Sequence, residues 1–280
     1  MSAQRPVSVW RYYAGVLRRA DDEVACEEPL EIRVRGRAVS VTMRTPGHDE
    51  ELAAGFLLSE GIIGHRADVL AIRPCDADRP EAANRVDVLL APLVNVDFAR
   101  LSRHVFASSS CGVCGKATID AVMRGLPALP AGEVKVAANA LLAMPARMRE
   151  TQPTFDRTGG LHAAALFDGA GKLFVLREDV GRHNAVDKVI GHALLAERPL
   201  DDAVLLVSGR VSFEILQKAL AARVRVVAAV SAPSSLAVEF ALASGQTLVG
   251  FLRDGRMNVY AHPGRIDFGQ VAAEGHPIAE

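Results

Sequence analysis

Aromatic residues are scarce in this 280-residue chain: Phe, Tyr and Trp make up 5% of it, with a single Trp. An excess of either charge is missing too, since 32 Lys and Arg stand against 33 Asp and Glu, a formal net charge of −1. That balance gives no polyanion-seeking field, which excludes wholesale DNA or RNA binding and leaves room only for a local basic pocket. No run of about 18 uninterrupted apolar residues occurs, so no membrane span or membrane partner is expected. Met1–Trp10 lacks the charged-then-apolar pattern of a secretory signal. Of four cysteines, Cys26 and Cys75 are isolated, which argues against a disulfide scaffold. The expected setting is cytoplasmic. Hydrophobic residues are abundant at 50% of the chain, enough for one large core or two ordinary ones.

The patterning divides the chain. Residues 1–20 are weakly patterned and read as an N-terminal arm, only partly ordered. Glu31–Val34 and Val39–Met43 alternate polar and apolar residues around Arg35-Gly36-Arg37, a hairpin signal. Pro46-Gly47-His48-Asp49 then leads into a helix with Leu52, Ala53, Phe56 and Leu57 on one face and Gly61 as its stop. Short strands are predicted near Val69–Ile72 and Arg85–Leu90, and a helix over Lys116–Arg124. Pro- and Gly-rich residues 125–132 suggest a boundary at Pro127–Gly132. An N-terminal α+β domain (21–130) and a C-terminal domain (131–265) result, with a tail over 266–280.

In the second half, His162–Phe167 and Leu173–Leu176 flank Asp168-Gly169-Ala170-Gly171, again a hairpin. Helices over Arg182–Ala196, Val211–Ala222 and Ser234–Ala243 alternate with apolar strands Ala203–Val207, Val224–Val230 and Thr247–Leu252; Met257–Tyr260 follows. Strands without polar alternation, interleaved with helices, imply an α/β layered sheet covered on both faces.

Ligands of such sheets bind where strands hand over to helices. Ser208-Gly209-Arg210, Ser231-Ala232-Pro233-Ser234-Ser235 and Arg253-Asp254-Gly255-Arg256 occupy three such turns. Small residues allow close approach, helix starts offer N–H groups to anions, and arginines add bidentate donors. A phosphate- or nucleotide-bearing ligand fits, although Ser and Gly at helix starts are also ordinary caps. Glu178–Lys188 is unusually polar for a strand-to-helix junction. Asp179, Arg182, His183, Asn184 and Lys188 can converge at one helix start, where capping needs one of them. His183 suits a proton carrier or anion contact. His162, after Gly159-Gly160, is either buried and hydrogen-bonded or pocket-lining.

Cys111-Gly-Val-Cys114-Gly leaves sulfur transfer, metal binding and redox exchange open. Structural zinc needs four ligands, and no second C-x-x-C exists. A thioredoxin-like redox pair lacks its usual aromatic and proline neighbours. A zinc deaminase needs H-x-E ahead of P-C-x-x-C; Ala163-Ala164 follow His162, Asn184-Ala185 follow His183, and no proline precedes Cys111. A persulfide carrier fits the Ser- and Gly-rich loop, since a helix start and Lys116 would favour the anionic sulfur, with Cys114 able to attack it.

Met43-Arg44-Thr45-Pro46-Gly47-His48-Asp49-Glu50-Glu51-Leu52, Gly55-Phe56-Leu57 and Ser59-Glu60-Gly61-Ile62-Ile63 resemble the N-terminal part of the FdhD/NarQ family, accessory sulfur carriers for formate dehydrogenase. The cysteine loop, Phe155, Thr158–Ala164, Glu178–Lys188, Ser208–Arg210, Ser231–Ser235 and Phe251-Leu252-Arg253-Asp254-Gly255-Arg256 are similar to its later motifs, and the resemblance spans about Glu27–Arg265. It implies a cytidine-deaminase-like fold for the C-terminal domain, without the zinc site. It implies that Cys111 takes sulfane sulfur from a cysteine desulfurase as a persulfide, assisted by Cys114. The sulfur would pass to the molybdenum bis(molybdopterin guanine dinucleotide) cofactor before insertion into formate dehydrogenase. Phe251–Arg256 would contact that cofactor, with Ser208, Gly209, Arg210, Ser231, His162 and His183 completing a GDP-binding edge. A homodimeric sulfurtransferase without resident metal is implied; a cofactor-binding chaperone of the apoenzyme, without sulfur transfer, is the alternative.

Overall fold

The computed structural model describes residues 2–75, 84–98, 125–130 and 135–269. The N-terminal segment forms a long antiparallel hairpin of β1 (Gln4–Tyr13) and β2 (Val16–Ala25), where the sequence suggested a loosely ordered arm. Ala14 and Gly15, both at positive φ (48° and 83°), close it with a two-residue turn whose twist matches the strands. A four-stranded sheet follows in the order β4-β3-β6-β5, built from β3 (Glu28–Val34), β4 (Arg37–Arg44), β5 (Val69–Pro74) and β6 (Arg85–Leu90). The helix α1 (Asp49–Ser59) lies between β4 and β5 in sequence. These elements follow the predicted ones closely. The Lys116–Arg124 helix and the cysteine loop lie outside the described residues.

The second sheet has six strands in the order β13-β12-β11-β10-β8-β9. They are β8 (His162–Phe167), β9 (Leu173–Asp179), β10 (Val204–Val207), β11 (Val226–Ala229), β12 (Thr247–Arg253) and β13 (Arg256–Ala261). The central three run parallel, and β8, β9 and β13 are antiparallel to their neighbours. Every residue of β10 and β11 is buried, which explains their unbroken apolar sequence. Alternate side chains feed two cores. Leu205, Val207, Val227 and Ala229 meet the core that includes α1, α4 (Arg182–Leu195), α5 (Phe213–Ala221) and α6 (Ser235–Ser244). Val204, Leu206, Val226 and Ala228 meet Leu141, Met144 and Met148 of α2 (Ala138–Arg149) on the other face. A short α3 (Pro153–Thr158), a small β7 (Val136–Ala137)–β14 (Ile266–Asp267) pair and two 3-10 turns (Arg66–Asp68 and Pro263–Arg265) complete the described elements. Mixed α/β layering is therefore the fold class.

The two halves share one core. Leu30, Ile32, Leu52 and Leu57 pack in the same cluster as Val186, Val189 and Ile190. The junction is the crossing of α1 and α4, where glycine is required. A Cβ on Gly55 would stand 1.8 Å from the Asp187 carbonyl oxygen, and one on Gly191 1.8 Å from that of Glu51. Only bare backbone allows so close an approach.

Candidate functional site

The carboxyl ends of β10, β11 and β12 and the start of β8 meet at one edge of the six-stranded sheet. Backbone hydrogen bonds lace the turns there into a rigid floor. Ser208 N donates to Ala163 O (2.9 Å), Val211 N to Ala232 O (3.2 Å), Ser234 N to Val211 O (2.9 Å) and Phe251 N to Ser231 O (3.0 Å). The Ser208 hydroxyl accepts from Ala163 N at 2.9 Å, so it extends the β8–β10 ladder. Gly209 lies against the His162 ring: a Cβ there would stand 3.3 Å from Nδ1. Gly250 is enclosed further, its absent Cβ falling 2.8 Å from Pro233 Cδ and 2.9 Å from Tyr260. The ends of β10 and β11 keep Ser208, Gly209 and Ser231 partly accessible and Arg210 exposed.

Beyond Gly250 the strand bulges. Register shifts between Gly250 and Arg253, and Phe251 takes φ 51°, a left-handed conformation costly for an aromatic residue. Leu252 consequently turns inward, fully buried in the core beneath α2. Arg253, Asp254, Gly255 and Arg256 are exposed on the β12–β13 turn. Arg253 pairs directly opposite Arg256. Two like charges so placed repel unless an anion sits between them.

His162 and His183 border the same edge. Burial, and then the positive charges of Arg182, His183 and Arg210, hold the His162 pKa below the usual histidine value, with Asp179 opposing. His162 is therefore predominantly neutral at pH 7 and suited to accept or share a proton. His183 Nε2 stands 3.0 Å from Glu214 Oε2 and 3.4 Å from Ser212 Oγ. The His183 hydrogen bond, outweighing burial, lowers the Glu214 carboxyl below its ordinary range. The Arg182 Nε is buried and has no hydrogen-bond partner among the described residues. The half-exposed Arg182 and the exposed Arg210 beside these histidines are chemically matched to an oxyanion or phosphate.

The polar Glu178–Lys188 stretch splits into two jobs. Asp179, Asn184, Asp187 and Lys188 are buried. Asn184 Nδ2 donates to Met43 O (2.7 Å), Lys188 Nζ donates to Thr45 O (2.8 Å), and Asp187 pairs with Lys218 and Ser59. They bind α4 to the N-terminal half. Glu178 accepts from Thr154 N and Phe155 N, capping α3. Only Arg182 and His183 remain half-exposed toward the sheet edge. A separate cavity of about 260 Å³ lies between the 45–48 loop, α3 and β9, lined among others by Thr45, His48, Thr154 and Arg177. None of the sheet-edge turn residues lines it.

The FdhD/NarQ family model matches residues 25–267. The chain belongs to this family. It is 54% identical over 253 residues to the sulfur carrier protein FdhD of Mycobacterium tuberculosis, covering 88% of this chain and 92% of that protein. Against the sulfur carrier protein FdhD of Streptomyces coelicolor it is 50% identical over 273 residues, 95% of this chain and 97% of that protein. A crystal structure of a candidate formate dehydrogenase accessory protein from Desulfotalea psychrophila superposes with a TM-score of 0.76 at 25% identity, over 95% of this chain and 100% of that one.

Within this FdhD/NarQ chain, His162, His183, Ser208, Gly209, Arg210 and Ser231 all sit at or beside one sheet edge, as the turn chemistry suggested. Cys111 and Cys114 lie outside the described residues. Sequence reasoning missed Glu214 and Ser212 as partners of His183. Their signal was present as Ser212-Phe213-Glu214, an N-cap with an acidic first turn, but nothing local ties it to a histidine 29 residues earlier.

Proposed function

We propose that this chain is a sulfur carrier serving formate dehydrogenase. The observation that carries the reading is the sheet edge, where the ends of β10 and β12 bring Arg210, Arg253 and Arg256, and the start of α4 brings Arg182, to turns of small residues in a chain of the FdhD/NarQ family. The relatives' name, sulfur carrier protein, supports the chemistry. In the proposed cycle the Cys111 thiolate attacks the terminal sulfur of a cysteine desulfurase persulfide. Cys111 gains that sulfur, and the desulfurase cysteine leaves as thiolate. Cys114 assists release. Attack of the Cys114 thiolate on the Cys111 sulfur breaks the bond to the outer sulfur and leaves a Cys111–Cys114 disulfide for a cellular thiol to reduce. The outer sulfur is released as hydrosulfide to the molybdenum bis(molybdopterin guanine dinucleotide) cofactor, held as client before insertion into formate dehydrogenase.

In this proposal the sheet edge holds the guanine dinucleotide's phosphates. Arg253 and Arg256 flank an anion whose charge relieves their repulsion, the half-exposed Arg182 adds a further cation, and His162 and His183 border the bound group. GDP is the minimal ligand. The same reading takes the layering as cytidine-deaminase-like, the protein as a cytoplasmic homodimeric sulfurtransferase, and the cysteine loop as the delivery arm. A cofactor-binding chaperone that transfers no sulfur is the competing reading.

Incubation with a cysteine desulfurase and cysteine, followed by mass spectrometry, decides between them. One added sulfur at Cys111, removed by reductant and missing in Cys111→Ser, is the expected outcome. A Cys111→Ser protein that fully restores formate dehydrogenase activity in cells lacking this protein would leave only the chaperone reading.

A further inference from the structure

Among the described residues the β1–β2 hairpin has no strand partner beyond itself, and it begins outside the family match, which starts at residue 25. Every residue from Trp10 to Arg19 is exposed, Tyr12 by 71% and Tyr13 by 80%. Among the described residues its contacts with the body include Arg157, which approaches Glu23 at 4.0 Å. A two-stranded ribbon is marginal in water by itself, and an open strand edge is a template for pairing. Among the described residues no backbone group of Val16–Ala25 bonds outside the hairpin.

The sequence of β2 says what would pair with it. Val16-Leu17-Arg18-Arg19-Ala20-Asp21-Asp22-Glu23-Val24-Ala25 runs apolar, basic, Ala20, acidic, apolar, so it complements its own reversal. Because Tyr13 and Val16 close a two-residue turn, even-numbered residues of β2 direct their backbone groups toward β1. Leu17, Arg19, Asp21 and Glu23 direct theirs outward. An antiparallel pairing of two β2 strands centred on Ala20 respects that alternation. It sets Arg19 opposite Asp21, Arg18 opposite Asp22 and Val16 opposite Val24, each twice by symmetry, with Leu17 against Glu23 as its one mismatch. Centring on Arg19 or Asp21 would instead oppose like charges on the axis.

We propose that β2 pairs antiparallel with β2 of a second copy about a two-fold axis at Ala20, joining two hairpins into a four-stranded sheet. The pairing resolves a conflict inside the hairpin. Arg18 faces Arg11 across β1–β2, an unfavourable match that Asp22 of the same hairpin relieves in part through Arg11 at 3.5 Å, and that Asp22 of the second copy offsets further from the Arg18 side. It also sets Gly15 opposite Ala25 of the second copy, which carries the exposed tip alongside that copy's body. The interface is isologous, as a closed dimer requires. This inference specifies the surface of the homodimer expected above and rests on that expectation.

Charge exchange in the full-length chain tests it. Arg18→Asp/Arg19→Asp makes the edge wholly acidic, and Asp21→Arg/Asp22→Arg makes it basic apart from Glu23. Sedimentation velocity should show each variant self-associating roughly 100-fold or more weakly than wild type. An equimolar mixture should recover a dimer, because the 18–22 and 19–21 pairs are again of opposite charge. Ala20→Cys should form an intermolecular disulfide between the two introduced thiols on mild oxidation, since a non-hydrogen-bonded pair sets Cα atoms about 4.5 Å apart. Unchanged thermal unfolding of the variants' bodies separates lost pairing from lost folding. A monomeric wild type would overturn the homodimer itself. A wild-type dimer that both charge variants retain, with no cross-link in Ala20→Cys, would leave the homodimer standing and remove this interface.

Discussion

Lys188 Nζ stands 2.7 Å from Asp179 Oδ2, and both side chains are shut away from water. Thr45 bonds to both: its carbonyl accepts from Lys188 at 2.8 Å and its N–H donates to Asp179 at 3.2 Å. Asp179 also accepts from Gly181 N and Asn184 Nδ2. Burial raises the Asp179 pKa above the usual range, and the Lys188 ammonium pulls against it. The pair is thus a fully bonded clamp between the Thr45 loop and α4.

Removing one partner should be far worse than removing both. Lys188→Met leaves a buried carboxylate unpaired and is expected to cost about 3–5 kcal/mol, whereas Asp179→Asn/Lys188→Met should recover much of that loss. Urea unfolding of the two variants measures this. A single-variant cost below about 1 kcal/mol would show that the clamp does not hold the halves together.

The α1–α4 crossing gives a sharper prediction. Gly55→Ala or Gly191→Ala drives a methyl group into backbone that cannot yield without separating the helices. Each is expected to cost about 3 kcal/mol or more, the upper end for overpacking. Gly61→Ala, where the added Cβ meets open space, tests the contrast. Its cost should come only from the positive φ of 69° and stay near 1 kcal/mol in order of magnitude. Comparable melting temperatures for all three variants would contradict the crowding argument.

How far the sequence revealed this arrangement depended on the range of each interaction. Apolar runs such as Val204–Val207 and Val226–Ala229, and the turn at Asp168–Gly171, announced their elements because the causes are local. β1 and β2 escaped notice because both faces are exposed at the tip, which leaves no apolar alternation to read. The helix α2 was hidden by Pro145 in its interior, which ordinarily argues against a helix. The role of Asp179, Asn184 and Lys188 was illegible for another reason: their partners, Met43 and Thr45, lie more than 130 residues away. Polarity at a helix start suggested a ligand, while the fold spends most of it on internal bonds. The sheet-edge turns were legible because strand-to-helix handovers carry their small residues and arginines in short, contiguous motifs.

Acid should weaken a second contact between the halves. Glu51 of α1 accepts two bonds from Arg177 of β9, at 2.6 and 2.7 Å, and meets His192 Nδ1 of α4 at 3.0 Å. Burial alone would raise its carboxyl, but the bonds from Arg177 and His192 outweigh it and hold the pKa below the ordinary 4.5. A depressed carboxylate stabilises the fold fully above its unfolded value and loses that contribution as pH falls through the folded one. Glu51→Gln should lower stability near pH 7 by about 1–3 kcal/mol. It should also flatten the stability profile below pH 4.5. Urea midpoints measured from neutral to acid pH should converge for the two proteins; parallel curves would rule out a titrating Glu51.

Arg256 and Leu252, four positions apart on the same hairpin, should respond in opposite ways. Arg256 faces Arg253 in the open, with Asp254 Oδ2 3.8 Å from Arg253 as partial relief. Removing one of two opposed cations relieves about 0.2–1 kcal/mol of repulsion. Arg256→Ala should therefore leave thermal stability unchanged or slightly raised. The same change removes a charge-assisted donor, worth about 1.5–3 kcal/mol, so GDP affinity should fall roughly tenfold or more. Leu252 is fully buried beneath α2. Leu252→Ala should cost about 2–5 kcal/mol of stability through the cavity it leaves. Calorimetric titration with GDP beside thermal unfolding separates the two effects. If Arg256→Ala destabilises the fold as much as Leu252→Ala, the paired arginines are structural and the anion site at this turn is lost.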